Sequence, residues 1–275
     1  MTDTEPDRPT RTAKTKTPAV GTLGFRLPDG AAAVAMALVV GALLVFLSMP
    51  RILAELNLIP ANGLLDEIRS AENARVDDEQ AGSLGDAIGG LRRATSFVGN
   101  NGRVYTDLAL AKLREMDRAG AGTEEGRALL DAAISDMQQG LALSPANSFA
   151  WARLSYALLL RDGATDAVLD ALRMSYQMAG LNDKILFFRT DLSLGLWKEL
   201  DKDLKDATVR QIAFYWESRW RDRKQLMWLG CRHDAIFVIN LAVRDLEKGR
   251  EDFDRLYPIF MTERGCRKLD REAWE

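Results

Sequence analysis

The chain has 275 residues, with 37 Lys and Arg against 40 Asp and Glu and a formal net charge of −3. That balance gives no electrostatic reason to expect nucleic acid as a partner. The two cysteines, Cys231 and Cys266, match neither a metal motif nor a CxxC redox pair, and the lone histidine, His233, cannot build a His-rich metal site. Hydrophobic residues make up 47% of the chain, enough for a sizeable core. Four of the eight prolines (Pro6, Pro9, Pro18 and Pro28) precede the first apolar run. The rest of the chain is Pro-poor and rich in Ala, Leu, Arg, Asp and Glu. Unbranched side chains lose little rotamer freedom in a helix, so this composition favours helices.

Residues 1–29 are polar, carry Arg8, Arg11, Lys14, Lys16 and Arg26, and show no apolar periodicity. They read as a disordered cytoplasmic tail. Residues 31–49, AAAVAMALVVGALLVFLSM, are 19 positions without a charge. A helix of that length rises about 28 Å, close to the hydrocarbon thickness of a bilayer. A transmembrane helix is expected over 30–50, with the lipid bilayer as its partner through 31–49. A cleavable signal peptide would have a shorter apolar run and a small-x-small site, which Phe46-Leu-Ser-Met-Pro50 does not supply. A buried soluble helix would carry a polar stripe. Five Lys and Arg precede the run, against three (Arg51, Arg69 and Arg75) in the 26 residues after it. The bias predicts a single-pass protein of the bacterial inner membrane, with the N-terminus cytoplasmic and the C-terminal domain periplasmic.

Residues 51–58 can continue the anchor helix, and Pro60-Ala-Asn-Gly63 is expected to break it. Leu64, Leu65, Ile68 and Ala71 fall at helical spacing, then 77–82 is polar. Leu84, Ala87, Ile88, Leu91, Ala94 and Phe97 define a helix over 83–97, stopped by Gly99-Asn-Asn-Gly102. A further helix over 104–117 ends at Ala119-Gly-Ala-Gly122. Segments 124–143, 148–161, 164–178, 183–198, 202–219 and 224–231 come next with short connections, as antiparallel helix neighbours require. Residues 235–243, AIFVINLAV, read alone as a buried strand, whereas their polar continuation and helical surroundings favour a buried helix. A helix over 251–262 closes the set, and the expected domain runs over 61–265 with a tail at 266–275.

A repeat period shows in the middle of the chain. Pro145 is followed by Trp151, Leu154, Ser155 and Leu158, then by Ala167 and Ala171. A shift of 34 from Ala167 reaches Ala133, with Ile134 under Val168 and Asp136 under Asp170. Over 129–179 this resembles a tetratricopeptide repeat, with Pro145, Trp151, Leu154 and Ala167 matching its signature. Ser155 stands at the Gly position, Leu158 at the Tyr, Ala171 at the aromatic and Ala179 at the Pro. The resemblance implies an all-α fold of antiparallel helix pairs, an α-solenoid. In it Ser155 and Ala167 would allow close helix approach, while Trp151, Leu154 and Leu158 would fill the space between pairs. The basic tail, single anchor, degenerate repeat and C-terminal Trp/Arg-rich region together resemble the VpsP-like membrane proteins of bacterial exopolysaccharide gene clusters. That second resemblance implies a part in polysaccharide assembly or export and carries no functional residues with it.

No motif for catalysis, cofactor or metal occurs: HExxH, GxSxG, GxxxxGK[ST] and GxGxxG are all absent. The carboxylate clusters Asp77-Asp-Glu79 and Asp201–Asp206 read as solvated faces. The most unusual composition is 214–233, FYWESRWRDRKQLMWLGCRH. There Arg219, Trp220, Arg223 and Lys224 form a candidate surface for an acidic partner segment or anionic polymer, polysaccharide included. The competing reading packs Trp216 and Trp220, four apart on one helix face, in the core with the Arg residues snorkelling over them. Cys231 and Cys266 can pair in an oxidising compartment or remain two ordinary thiols. The expectation is therefore a membrane-anchored scaffold, not an enzyme, binding protein partners in the inner membrane or periplasm in support of exopolysaccharide synthesis or export. The alternatives are an enzyme or subunit acting on glycan or peptidoglycan through carboxylates, and a scaffold for another envelope process such as cytochrome maturation or division.

Overall fold

The computed structural model describes residues 30–70, 78–181 and 183–263. Among them the chain is helical throughout, without strands. The helices are α1 (Gly30–Ser70), α2 (Asp78–Phe97), α3 (Gly102–Ala119), α4 (Glu124–Leu143), α5 (Ser148–Asp162), α6 (Asp166–Met178), α7 (Asp183–Gly195), α8 (Lys202–Ser218), α9 (Arg223–Arg232), α10 (Ile236–Val243) and α11 (Gly249–Glu263). A single 3-10 turn, Trp220–Asp222, separates α8 from α9. The expected tails at 1–29 and 266–275 and the polar start at residue 77 lie outside the described residues.

Residues up to Ser48 form one unit and residues from Met49 onward another. In the first, α1 is long and apolar enough to cross a membrane: the qualifying stretch is Val34–Ile59, 26 residues with none of its most apolar window buried. Val34, Leu38, Val39, Leu43, Leu44 and Phe46 are all exposed. A bare apolar surface of this size is covered in a working protein. The expected break at Pro60-Ala-Asn-Gly63 does not occur, since α1 continues to Ser70, passing through both Pro50 and Pro60. A proline removes one i→i−4 hydrogen bond and bends the axis; the next turn restores the ladder.

In the second unit three groups of buried side chains succeed one another along the chain. Ala54 and Leu58 of α1 pack with Leu84, Ala87 and Leu91 of α2 and Val104 and Leu108 of α3. The other side of α3, with Ala109, Leu113 and Met116, joins the core of α4, α5 and α6. Ile212, Tyr215 and Trp216 of α8 anchor the third group with α9, α10 and Phe253 of α11. Trp197 touches the second and third groups, so apolar packing is continuous across them. Chain neighbours pack on one another from α2 through α6 and from α7 through α11, and α3 also meets α5, α5 meets α7, α7 meets α9 and α8 meets α10. Residues 236–243, ambiguous in isolation, form helix α10, buried through Ile236, Val238, Ile239, Ala242 and Val243.

Turn chemistry sets the helix starts. Asn101, Thr123, Asn147 and Asp201 each accept a backbone N–H of the helix they precede, from Arg103, Gly126, Ala150 and Leu204. Such caps satisfy donors that the helix itself leaves open.

The repeat residues fall at the α5–α6 pair. Trp151 Nε1 donates to the Pro145 carbonyl at 2.7 Å, which ties the loop to the helix it introduces. Leu154 and Leu158 are buried, and Trp151 packs beside them. Ser155 is fully buried and its hydroxyl donates to the Val168 carbonyl of α6 at 2.8 Å. Ala167, expected at this contact, lies exposed in the first turn of α6, while Val168, Ala171, Leu172 and Ser175 face inward. The difference arises from where α6 begins, because Thr165 and Asp166 set the phase of the helix.

Helices α3 and α4 approach closely at a glycine. A Cβ on Gly140 would lie 2.7 Å from Thr106 Cγ2 and 2.8 Å from the Gly102 carbonyl oxygen. In an open helix Gly→Ala gains roughly 0.5–1 kcal/mol. Here overpacking dominates, and Gly140→Ala is expected to lose about 1–3 kcal/mol, read as a lower denaturant midpoint. A raised midpoint would mean that α3 and α4 are not in this contact.

Candidate functional site

α7 is held by a buried cation. Arg189 is fully buried and contacts no carboxylate among the described residues. Its Nε donates to Gln211 Oε1 at 2.6 Å, its Nη1 to the carbonyls of Ser175 and Ala179 at 2.9 Å each, and its Nη2 to the Gly180 carbonyl. The guanidinium carbon lies 4.1 Å from the centre of the Tyr176 ring. The charge is thus met by the carbonyl end of α6, the negative end of its macrodipole, and by an aromatic face. Burial pushes the Arg189 pKa below its ordinary value, with the Tyr176 charge opposing. Gln211 passes the network on to Thr190 Oγ1 at 2.8 Å and the Leu186 carbonyl at 3.2 Å. The Tyr176 hydroxyl meets Ser193 Oγ at 3.0 Å and Thr208 Oγ1 at 3.1 Å. α6, α7 and α8 are therefore fixed by polar contacts as well as by apolar packing.

This network orients the outward side chains Phe188 and Asp191 of α7. Phe188 meets Tyr156 of α5 edge-on, ring centres 5.8 Å apart at 71°. His233 Nε2, at the end of α9, lies 2.6 Å from Asp191 Oδ1, and Arg232 Nη1 lies 3.6 Å from Asp191 Oδ2. The His233 ring packs on Gly195, where a Cβ would approach its Cε1 to 3.2 Å. On α3, Arg114 pairs with Asp117 at 3.7 Å. The Tyr156 hydroxyl feels all of them. Burial pushes its pKa up first, Asp117 and Asp191 push it further, and Arg114 and Arg232 oppose. Burial likewise raises Asp117, against the pull of Arg114. Side chains from α5, α7 and α9 thus meet on this face, the charge of Asp117 on α3 also acts on the Tyr156 hydroxyl, and Arg153 lies over Phe149 and Arg232 over Trp228.

A separate hollow of about 350 Å³ lies between α6 and α8, with Arg173, Tyr176, Leu204 and Arg210 in its wall. Arg173 there is engaged by Asp170 and Asp201. Asp201 also caps α8, and these contacts hold its carboxyl below the usual carboxylate range. No group of three metal-ligating side chains occurs among the described residues.

The Trp/Arg-rich segment divides in an unexpected way. Trp216 is buried at 1% exposure, but Trp220 is 65% exposed. They do not share a helix face, because α8 ends at Ser218 and Trp220 opens the 3-10 turn. Arg223 is structural: it donates to the Trp216 carbonyl at 2.8 Å, pairs with Asp252 and stacks over Trp216. Arg219 pairs with Asp222 at 2.7 Å, and Lys224 is exposed. Cys231 is half-buried and not a free thiol, while Cys266 lies outside the described residues. Compared with protein-family models, curated proteins and solved structures, the chain matches none.

Sequence reading did not single out Arg189, Tyr156 or Asp191. An arginine inside the apolar run Ile185–Thr190 is a usable signal, whereas Asp191 and His233 are 42 residues apart and share no local pattern. Replacing Arg189 with Met takes the donor from the Ala179 and Gly180 carbonyls and from Gln211 Oε1, while the Ser175 carbonyl keeps the Ala179 N–H, and is expected to cost about 1–3 kcal/mol. Arg189→Lys should not restore stability, because one ammonium cannot span the same acceptors. Thermal melts of both variants test this, and a wild-type melt for the Met variant would overturn the assigned role.

Proposed function

We propose that the chain is a membrane-anchored helical scaffold, whose helix pairs form a solenoid with a groove along α3, α5, α7 and α9 for a protein partner. The observation that carries this reading is the meeting of Tyr156, Phe188, Asp191 and Arg232 on one face, where the charge of Asp117 on α3 also acts. Contacts that skip one helix, α3 to α5 to α7 to α9, are what stacked helix pairs make on their inner side. A groove of aromatic and charged side chains spread over several repeats suits an extended segment better than a small substrate.

The anchor is the apolar stretch Val34–Ile59, with the domain periplasmic and the tail cytoplasmic. The likeness in layout to VpsP-like proteins supports placing the partner among the components of exopolysaccharide synthesis or export. The test is a pull-down from detergent-solubilised membranes, using material that stays with the membrane after a carbonate wash. Wild type is expected to recover polysaccharide polymerase or export components, and Arg232→Glu to lose them at unchanged melting temperature. Recovery of division or cytochrome-maturation proteins instead would move the scaffold to another envelope process.

A second reading is favoured by one observation. The charges of two carboxylates, Asp117 and Asp191, both act on the Tyr156 hydroxyl, and Asp191 also pairs with His233 and Arg232. Glycan hydrolysis uses a pair of carboxylates. If the chain cleaves glycan, Asp117→Asn and Asp191→Asn should each abolish the release of reducing ends from purified polysaccharide or peptidoglycan. No release by wild type removes this reading.

A further inference from the structure

We infer that the outer face of α9, with the turn that precedes it, is a docking strip for an acidic segment of a protein partner; this extends the groove reading and rests on it. α9 buries Leu226, Met227, Leu229 and Gly230, so Lys224, Gln225, Trp228 and Arg232 point outward at helical spacing. Trp220 and Arg221 continue the strip into the 3-10 turn. Trp220 is 65% and Trp228 37% exposed. Trp220 in particular leaves most of its indole to solvent, and covering such a surface releases free energy that anchors interfaces.

The cations of the strip are arranged for carboxylates. Arg221 lies 5.1 Å from the centre of the Trp220 ring and Arg232 lies 5.2 Å from that of Trp228. A guanidinium lying flat on an aromatic face keeps its N–H edge for an anion. Neither Arg221 nor Lys224 pairs with a carboxylate among the described residues, and both are exposed. Of the nearby acids, Asp222 is taken by Arg219 and Asp191 by His233 and Arg232, and the exposed Glu217 and Asp234 lie in the same stretch as Arg221 and Lys224.

The strip also runs into the groove. Arg232 reaches Asp191 at 3.6 Å, and its charge is felt at the Tyr156 hydroxyl. An extended acidic segment can lie on Trp220 and Trp228 and continue between α7 and α9. A flat bilayer surface can meet the strip but cannot track it inward. That continuity selects a polypeptide over a lipid surface.

The test uses the full chain in phosphatidylcholine nanodiscs and a fluorescein-labelled random copolymer of Glu and Tyr, read by anisotropy. Wild type is expected to bind it, more weakly as salt rises, since exposed charges are screened. Arg221→Glu with Lys224→Glu should weaken binding at least about tenfold, with melting unchanged because neither side chain is buried. Trp220→Ala should weaken it independently of charge. Equal binding by wild type and the double variant, or no binding by wild type, overturns the inference. So does a double variant that loses only recruitment of phosphatidylglycerol vesicles, which would make the strip a lipid surface. If Arg232→Glu abolishes partner recovery from membranes while the double variant keeps it, the strip fails and the groove reading stands. If neither affects recovery, both fail.

Discussion

The constraint on which the rest of the domain depends is the enclosure of Arg189. A buried cation without a carboxylate is tolerated only where its donors all find acceptors. Here they do so because α6 ends where the side chain arrives, offering the carbonyls of Ser175, Ala179 and Gly180, with Gln211 closing the remaining direction. These acceptors belong to α6, the turn after it and α8, so one side chain of α7 sets the spacing of three helices. An apolar residue of similar volume would pack there without specifying it. The outward positions Phe188 and Asp191, one and two residues from Arg189 along the chain, inherit their placement from this network.

The all-helical class was legible because the apolar spacing repeats without strand-like alternation outside 235–243, and because helix starts carry their own chemistry. Asn101, Thr123 and Asp201 each cap a helix, although in sequence Asn101 reads as part of a stop and Asp201 as part of a solvated face. The anchor stretch was legible from its lack of charge. Its extent was not: Pro60-Ala-Asn-Gly63 reads as a stop, yet a helix loses only one hydrogen bond at a proline and continues. Ala167 was misplaced for a related reason. Fitting a repeat signature by residue type fixes spacing within a helix but not its phase, and the phase of α6 comes from its own start at Asp166.

The candidate groove was largely illegible. Its members come from four helices; Asp191 and His233 meet only in the folded chain, and Asp117 acts on Tyr156 through its charge. The Trp/Arg-rich segment was visible as composition and ambiguous as structure. Reading 214–233 as one helix makes Trp216 and Trp220 equivalent. The end of α8 at Ser218 makes them opposites, one buried against Phe253 and the other turned to solvent. Arg223 separates from Lys224 in the same way, since the first is spent on Trp216 and Asp252 and the second on nothing the domain requires.

That division of labour bears on scaffold against enzyme. A catalytic site concentrates its unsatisfied chemistry in one place, because reacting atoms have to meet within about 3–3.5 Å. In this domain Arg189, Gln211, Thr208 and Ser175 are satisfied by one another or by backbone, and the two buried polar atoms without a hydrogen bond among the described residues, Glu115 Oε2 and Trp216 Nε1, lie apart on α3 and α8. The side chains left over for a ligand are instead spread along the inner sides of alternate helices and out over α9. A long, shallow distribution of aromatic anchors and paired charges matches what binding a chain requires: many modest contacts, with specificity from their order. The polar interior maintains that order, and the surface built on it is where the proposed partner is read.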